Sequence, residues 1–206
     1  MHNLPFNTVS LAADDVQALE DAYKALCAKF SISLPGDVDL STKSFDLFIN
    51  PDVSIGGVLR VDNTANNLYL VFVKIHYSSY GLRSATREDW YKYQVWAFIK
   101  SGKDFGRVLI RHETFNDRIV GLLHPVEVEF KDDKLFDHKF YVVSNDEQKA
   151  LSAITWSFRN AVMDMGACVV IETAGHSLII GDNTPVTDPQ QVVALTEFAV
   201  KIAALK

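Results

Sequence analysis

Residues 67–75 read NLYLVFVKI, an apolar run with one charged side chain near its end. The first half of the run is apolar on both faces of an extended chain, which is typical of a strand in the middle of a sheet. Asp62 and Asn63, followed by Asn66, are turn formers that separate this run from the segment before it. The stretch therefore predicts a central β-strand, and the flanking segments extend the same pattern.

Two-residue periodicity continues on both sides of this central strand. Phe45, Leu47 and Ile49 alternate with polar neighbours and predict a strand of their own. Further strands are predicted at residues 53–61, 90–99, 107–112, 126–130 and 136–143. No helical pattern separates them, so we expect antiparallel pairing.

Helical periodicity is confined to the two ends of the chain. The N-terminal stripe consists of Val16, Leu19, Tyr23, Leu26 and Phe30. Near the other end, residues 144–147 form a capping box that opens a helix running to Met165. Residues 169–180 predict a β-hairpin, and Asp188 before Pro189 marks the start of a closing helix. The fold class is α+β: a mainly antiparallel sheet, an N-terminal helix, and two C-terminal helices flanking a β-hairpin.

The composition is that of an ordinary globular protein. Of 206 residues, 48% are hydrophobic and 22% are charged, and the formal net charge is −6. We expect a single domain over residues 1–206, with a division into lobes at 1–130 and 131–206 as the alternative. The acidic balance argues against nucleic acid as a partner. We therefore expect another protein as the partner. The sequence does not indicate an oligomeric state.

We find no stretch of the sequence that is typical of a targeting signal. Residues 1–10 contain no basic region followed by an apolar stretch, so we expect no signal peptide. The longest unbroken apolar run, residues 68–73, is far shorter than the roughly 20 residues of a membrane helix. We therefore expect a cytoplasmic protein that does not insert into membranes.

Three segments together carry a family resemblance: NLYLVFVKIHY at residues 67–77, YQVWAF at 93–98 and LFDHKFYVVSND at 135–146. Their order resembles a group of bacterial domains of unknown function, whose members share the motif F-D-x-x-F-x-V-x-S-x-D before a helix. The resemblance covers about residues 40–200 and implies a fold rather than an activity. In that group the domain is often tethered beside membrane helices, which this sequence does not contain.

Catalytic and metal-binding patterns are weak. His112 and His138 each share a predicted strand face with apolar residues, which favours histidines at the edge of the core. Glu127 and Glu129 lie on one face of a strand, and the simplest interpretation is a solvated face, with acid–base chemistry as the rival. No spacing typical of a metal site or a nucleotide loop occurs, so no metal and no cofactor is predicted.

The segment between the two longest strands is the candidate binding site. Residues 77–90 are interpreted as a long polar loop that is rich in the residue types found at binding hot spots. These residues are Tyr77, Tyr80, Arg83, Arg87 and Trp90. The hypothesis is a non-enzymatic binding or protein-interaction module. The alternatives are a hydrolase-like enzyme built from separated His and Glu residues, and a small-molecule carrier with an apolar pocket against the sheet.

Overall fold

A computed structural model describes residues 4–80, 87–112, 125–165 and 169–205, with Tyr80 described by its backbone alone. The helices in these ranges are α1 Ala13–Lys29, α2 Lys134–Lys139, α3 Glu147–Ala153, α4 Trp156–Met165 and α5 Pro189–Ala203. The strands are β1 Ile32–Ser33, β2 Val53–Val61, β3 Asn67–Tyr80, β4 Arg87–Lys100, β5 Arg107–His112, β6 Val126–Glu127, β7 Phe140–Ser144, β8 Val170–Ala174 and β9 Ser177–Gly181. The α+β class is confirmed.

The described strands form one antiparallel sheet in the order β1-β2-β3-β4-β9-β8-β5-β7-β6. The C-terminal hairpin of β8 and β9 therefore lies between β4 and β5, which are consecutive along the chain. Its turn is held by the β4–β5 connection: the Ser101 amide donates to the His176 carbonyl at 2.7 Å, and the Phe105 amide to the Gly175 carbonyl at 2.9 Å. This insertion makes one sheet from strands at both ends of the sequence.

One face of the sheet packs against the long helices. Leu70 and Phe72 of β3 are completely buried there, in a cluster that also contains Leu26 of α1 and Phe198 of α5. Each such side chain contributes about 1.5–3 kcal/mol through its removal from water. The stripe predicted for the N-terminal helix therefore does form part of the main core.

The other face is covered by the segment in which a strand was predicted at Phe45, Leu47 and Ile49. That prediction is wrong, because the segment forms two short 3₁₀ turns, Thr42–Ser44 and Asp46–Ile49. Phe45 lies fully buried against Phe98 of β4, with the ring centroids 6.0 Å apart. Of the three alternating apolar residues only Phe45 is buried, whereas Ile49 is 56% exposed, so the alternation does not mark a buried strand face.

The strand predicted at residues 136–143 is also wrong in its first half. Residues 134–139 are helix α2, which the Asp133 carboxylate caps by accepting from the Phe136 amide at 3.2 Å. The rings of Phe136 and Phe140 stack with centroids 5.1 Å apart. A spacing of four residues places two side chains on the same side in either a helix or a strand, so only the cap at Asp133 distinguishes the two.

Two further segments are shorter than predicted. The strand expected at residues 126–130 keeps only two residues of regular pairing, in β6. The helix expected from residue 147 to Met165 is divided into α3 and α4, because the backbone leaves helical geometry at Ile154, where φ is −84° and ψ is 68°.

Residues 77–90 are not simply a loop, contrary to the prediction. β3 and β4 stay paired through Tyr77↔Trp90 to Tyr80↔Arg87. We call residues 76–80 and 87–91 the hairpin arm. Its polar, exposed residues resemble a loop in composition because no core covers them, although their backbone is extended.

Gly56 lies at a bulge in β2. The pairing register with β3 shifts between Ile55 and Gly57. A β-carbon at Gly56 would lie 1.8 Å from the Tyr93 hydroxyl oxygen, which donates to the Asn7 carbonyl at 2.7 Å. The absence of a side chain at this position lets the Tyr93 ring pass the strand.

We expect Gly56→Ala to lower the free energy of unfolding by about 1–3 kcal/mol, because the added methyl group overlaps a buried ring. Urea unfolding followed by circular dichroism would measure the loss. Gly36→Ala is the matched control, since nothing lies within 4 Å of a β-carbon there. Equal stabilities of the two variants would contradict this account of the bulge.

Candidate binding surface on the hairpin arm

The hairpin arm extends beyond the strands on either side of it. β2 pairs with β3 only as far as Ile75, and the last contact is the His76 amide, which donates to the Asp52 carbonyl at 2.9 Å. On the other side, β9 pairs with β4 only from Ala97 to Lys100. Within the described residues, the arm is therefore a two-stranded ribbon with a free backbone edge on each side.

One face of the arm carries a stacked aromatic pair. Tyr77 and Trp90 are cross-strand partners, with ring centroids 5.8 Å apart and planes inclined by 10°. Such pairs add about 0.5–1.5 kcal/mol beyond the area they bury. Trp90 is nevertheless 40% exposed, so the pair both stiffens the ribbon and presents a flat apolar surface to solvent.

The opposite face carries a hydrogen-bonded histidine. His76 Nδ1 lies 3.2 Å from Asp52 Oδ1, and its Nε2 lies 2.9 Å from Asp89 Oδ1. The imidazole also lies against the Tyr91 ring, with centroids 5.0 Å apart, and Lys74 Nζ is 4.4 Å from the centroid of that ring. The base of the arm is thus fixed by polar contacts on this face and by the aromatic pair on the other.

These contacts shift two pKa values. The hydrogen bond that Asp52 accepts from His76, and next in size the one that Asp89 accepts, raise the pKa of His76 above its usual value. The hydrogen bond from Arg87, whose Nε lies 2.8 Å from the carboxylate, leads the causes that lower the pKa of Asp89. Protonated His76 and ionised Asp89 therefore stabilise each other across the two strands.

The five candidate residues differ in their contacts and in whether their side chains are among the described residues. Tyr77 and Trp90 come together on one face, as described above. Arg87 is the first residue of β4 and donates to Asp89, so it is partly engaged within the arm. Tyr80 pairs with Arg87 through its backbone, and its side chain lies outside the described residues, as does Arg83.

The residues of the rival enzyme hypothesis are mostly solvated. Glu127, Glu129 and His138 are exposed, and His138 lies on α2 rather than on the predicted strand. His112 is half-buried, with its ring 6.0 Å from that of Phe140. Exposed carboxylates lack the desolvation that acid–base catalysis would need. In the described ranges, no group of three His, Cys, Asp or Glu residues is placed to hold a metal ion.

A buried ion cluster was missed at the sequence level. Glu172 of β8, only 6% exposed, accepts from the Asp46 amide at 2.8 Å. Arg107 of β5 places Nη2 2.7 Å from Asp46 Oδ1 and 3.0 Å from Glu172 Oε1. Burial raises the pKa of Glu172 to about 7, and burial also raises the pKa of Asp46 despite the adjacent guanidinium.

This cluster fastens the 3₁₀ segment to two central strands. Shifted carboxylates of this kind often mark active sites. Here, the crevice that Asp46, Arg107 and Glu172 line has a volume of about 0 Å³, so it offers no space for a substrate. The sequence feature that could have indicated this cluster is Glu172, a carboxylate inside the apolar strand sequence VIETA.

Comparison with known proteins gives a likeness of fold. No family model and no curated protein matches the chain. Among solved structures, the crystal structure of the mycobacterial trehalose monomycolate transport factor A, TtfA, is similar, with a TM-score of 0.55 at 10% sequence identity. The match covers 90% of this chain and 92% of that one. At this identity the similarity concerns the architecture alone.

The comparisons do not test the resemblance to the bacterial domain group, which stays a prediction. No helix in the described part of the chain is both long and apolar enough to cross a membrane.

We expect Asp52→Asn and Asp89→Asn each to lower the pKa of His76, because each removes a carboxylate that stabilises the imidazolium. NMR titration of the imidazole resonances would measure it. Asp39→Asn, on an exposed turn distant in sequence, is the control. An unchanged His76 titration in both arm variants would contradict the proposed network.

We expect Glu172→Gln to flatten the pH dependence of stability. Between pH 4.5 and 7 the folded protein retains a proton that the unfolded chain releases, so wild-type stability falls as pH rises through this window. Glutamine has no such titration and its amide oxygen still accepts from Asp46 and Arg107. As pH rises through this window, the free energy of unfolding of the variant should therefore increase relative to that of wild type by up to about 3 kcal/mol.

Urea unfolding of both proteins at pH 5 and pH 8 measures this difference. Parallel pH profiles for wild type and Glu172→Gln would show that Glu172 does not titrate in this range in the folded state.

Proposed function

We propose that the protein is a non-enzymatic interaction module whose hairpin arm binds an extended segment of another protein. The single observation that carries the proposal is the two-stranded arm, with free backbone edges and an exposed, stacked Tyr77–Trp90 pair. Sheet edges of this kind bind partner strands through main-chain hydrogen bonds, while adjacent side chains select the sequence.

The free edge of β4 presents the backbone groups that such pairing requires. The Val186 amide donates to the outward carbonyl of Tyr93 at 2.7 Å. Because outward-facing groups recur every second residue, the backbone groups of Tyr91 and Asp89 point to the same side. Neither residue has another strand beside it in the described part of the chain. A partner strand would extend the row of backbone hydrogen bonds that begins with the Val186 amide.

Charge indicates what kind of segment binds. Glu88 lies two residues from Trp90, hence on the same face, and is exposed. Lys92, the other charged neighbour of Trp90 on this face, is paired with Asp15 at 2.8 Å. A charged side chain on a strand edge discourages pairing between copies of the same chain. Glu88 favours a segment that brings lysine or arginine, whose cation can also lie over the Trp90 ring. The net charge of −6 acts in the same direction over longer distances.

The fold comparison supports a binding role over a catalytic one. The protein of similar architecture is described as a transport factor. The solvated positions of Glu127, Glu129 and His138 also weigh against the enzyme alternative.

The test is the loss of a defined complex when Trp90 is truncated. Proteins captured from the source organism with the wild-type chain are compared with those captured by Trp90→Ala, and a protein lost from the variant is purified and titrated. We expect Trp90→Ala to weaken the complex by about 2 kcal/mol or more, near thirtyfold, as hot-spot tryptophans do. Affinity should also fall with added salt.

Trp156→Ala is the matched control, because Trp156 is 65% exposed at the start of α4, away from the arm. Equal weakening by the two substitutions, or no weakening by Trp90→Ala, would reject the arm as the binding surface. Binding of a single-stranded oligonucleotide that depends on Trp90 would assign the same surface to nucleic acid instead.

A further inference from the structure

A crevice opens where β9 ends and β4 continues. β9 ends at Gly181, and residues 182–188 connect it to α5. The crevice has a volume of about 240 Å³. Its apolar walls include Val95, Met165, Val169, Val186, Val192 and Leu195.

Hydrogen bonds to β4 position the segment that follows β9. Trp96 Nε1 donates to Gln94 Oε1 at 3.1 Å, and Gln94 Nε2 donates to the Asn183 carbonyl at 2.7 Å. A β-carbon at Gly181 would lie 2.4 Å from the Trp96 ring, which belongs to the core cluster on the other face of the sheet. The Val186 amide also donates to the Tyr93 carbonyl of β4 at 2.7 Å. These contacts hold residues 182–186 against β4, and the site is therefore largely preformed, as ligand pockets usually are.

The mouth carries one negative charge among neutral groups. Asp182, Thr184 and Gln191 are the polar side chains of the lining. Asp182 Oδ1 accepts from the Thr184 amide at 3.0 Å, which fixes the carboxylate of this lining residue. A carboxylate there accepts a hydrogen bond from a ligand donor and repels an anionic ligand.

The volume limits the size of the ligand. An apolar cavity of about 150 Å³ holds benzene, and sites for drug-sized molecules begin at about 300 Å³. A crevice of about 240 Å³ lies between the two. It suits a molecule of one or two rings, or an aliphatic group of similar size.

We propose that this crevice binds a small, uncharged, mainly apolar molecule that directs a hydrogen-bond donor toward Asp182. The site shares no residue with the hairpin arm, so this inference goes beyond the proposed function. It assigns a ligand site to the junction of β4, β9 and α5, where the sequence alone showed only core residues.

Two fluorescent probes with the same aromatic framework test the proposal. 1-Naphthylamine has two fused rings, is neutral and has an N–H donor, whereas 8-aminonaphthalene-1-sulfonate adds a negative charge. In titrations of the wild-type protein, we expect saturable binding of the neutral probe at least tenfold tighter than that of the sulfonate. No saturable binding of the neutral probe, or equal affinities, would overturn the proposal.

Ala194→Trp blocks the mouth, because Ala194 lines the crevice and is exposed on α5. We expect it to weaken neutral-probe binding at least tenfold. Ala204→Trp is the matched control, an exposed alanine at the far end of the same helix, about 15 Å away at 1.5 Å per residue. Equal binding by the two variants would place the probe elsewhere.

Asp182→Asn supplies a second measurement that does not depend on filling the site. Asparagine keeps an oxygen that accepts from the Thr184 amide, so the turn is preserved. We expect the sulfonate to bind this variant several times more tightly while the neutral probe changes less. An unchanged ratio of the two affinities would remove Asp182 from the site, and with it the proposed selectivity.

Discussion

The pairing of the C-terminal hairpin with strands from two other parts of the chain holds the sheet together. β9 joins β4 over four residue pairs, Ala97–Lys100, and β8 joins β5 over five. Without this hairpin the described strands would form two separate groups, β1–β4 and β5–β7. The Asp46–Arg107–Glu172 cluster reinforces the same junction, since it ties the 3₁₀ segment on one face to β5 and β8.

The unequal lengths of β4 and β9 explain both of the surfaces to which function is assigned. β4 spans 14 residues, whereas β9 spans 5 and pairs near one end of β4. The remainder of β4 has no strand on that side, so part of it lines the crevice at Val95 and part of it forms the hairpin arm. The difference in length between β4 and β9 therefore creates the crevice and, farther along β4, the hairpin arm.

Local signals in the sequence predicted local structure well. β2 was predicted with both of its ends because turn formers flank it, and the C-terminal hairpin because Gly175 supplies the positive φ, 58°, that its turn requires. The Asp188 cap was equally visible, since its carboxylate accepts from the Gln190 amide two residues away. In each case the deciding interaction lies within a few residues.

Apart from α2, where the local cap at Asp133 decides the structure, predictions failed where distant partners decide it. The exposed strands of the arm look like a loop because nothing apolar faces them, and Phe45 looks like a strand residue until Phe98 is known to cover it. Glu172 receives its hydrogen bond from Asp46, 126 residues earlier, and no local pattern marks such a pair. The candidate residues Tyr77 and Trp90 were found by composition, whereas their stacking depends on strand register.

The position of β8 and β9 also governs the order in which the sheet can be completed during translation. β4 leaves the ribosome long before Gly181 does, by several seconds at about 5–20 residues per second. Throughout that interval β4 and β5 are neighbours along the chain, joined only by residues 101–106. The nascent chain must either leave both edges open to water or pair β4 with β5 as a local hairpin, which the last strands then have to displace.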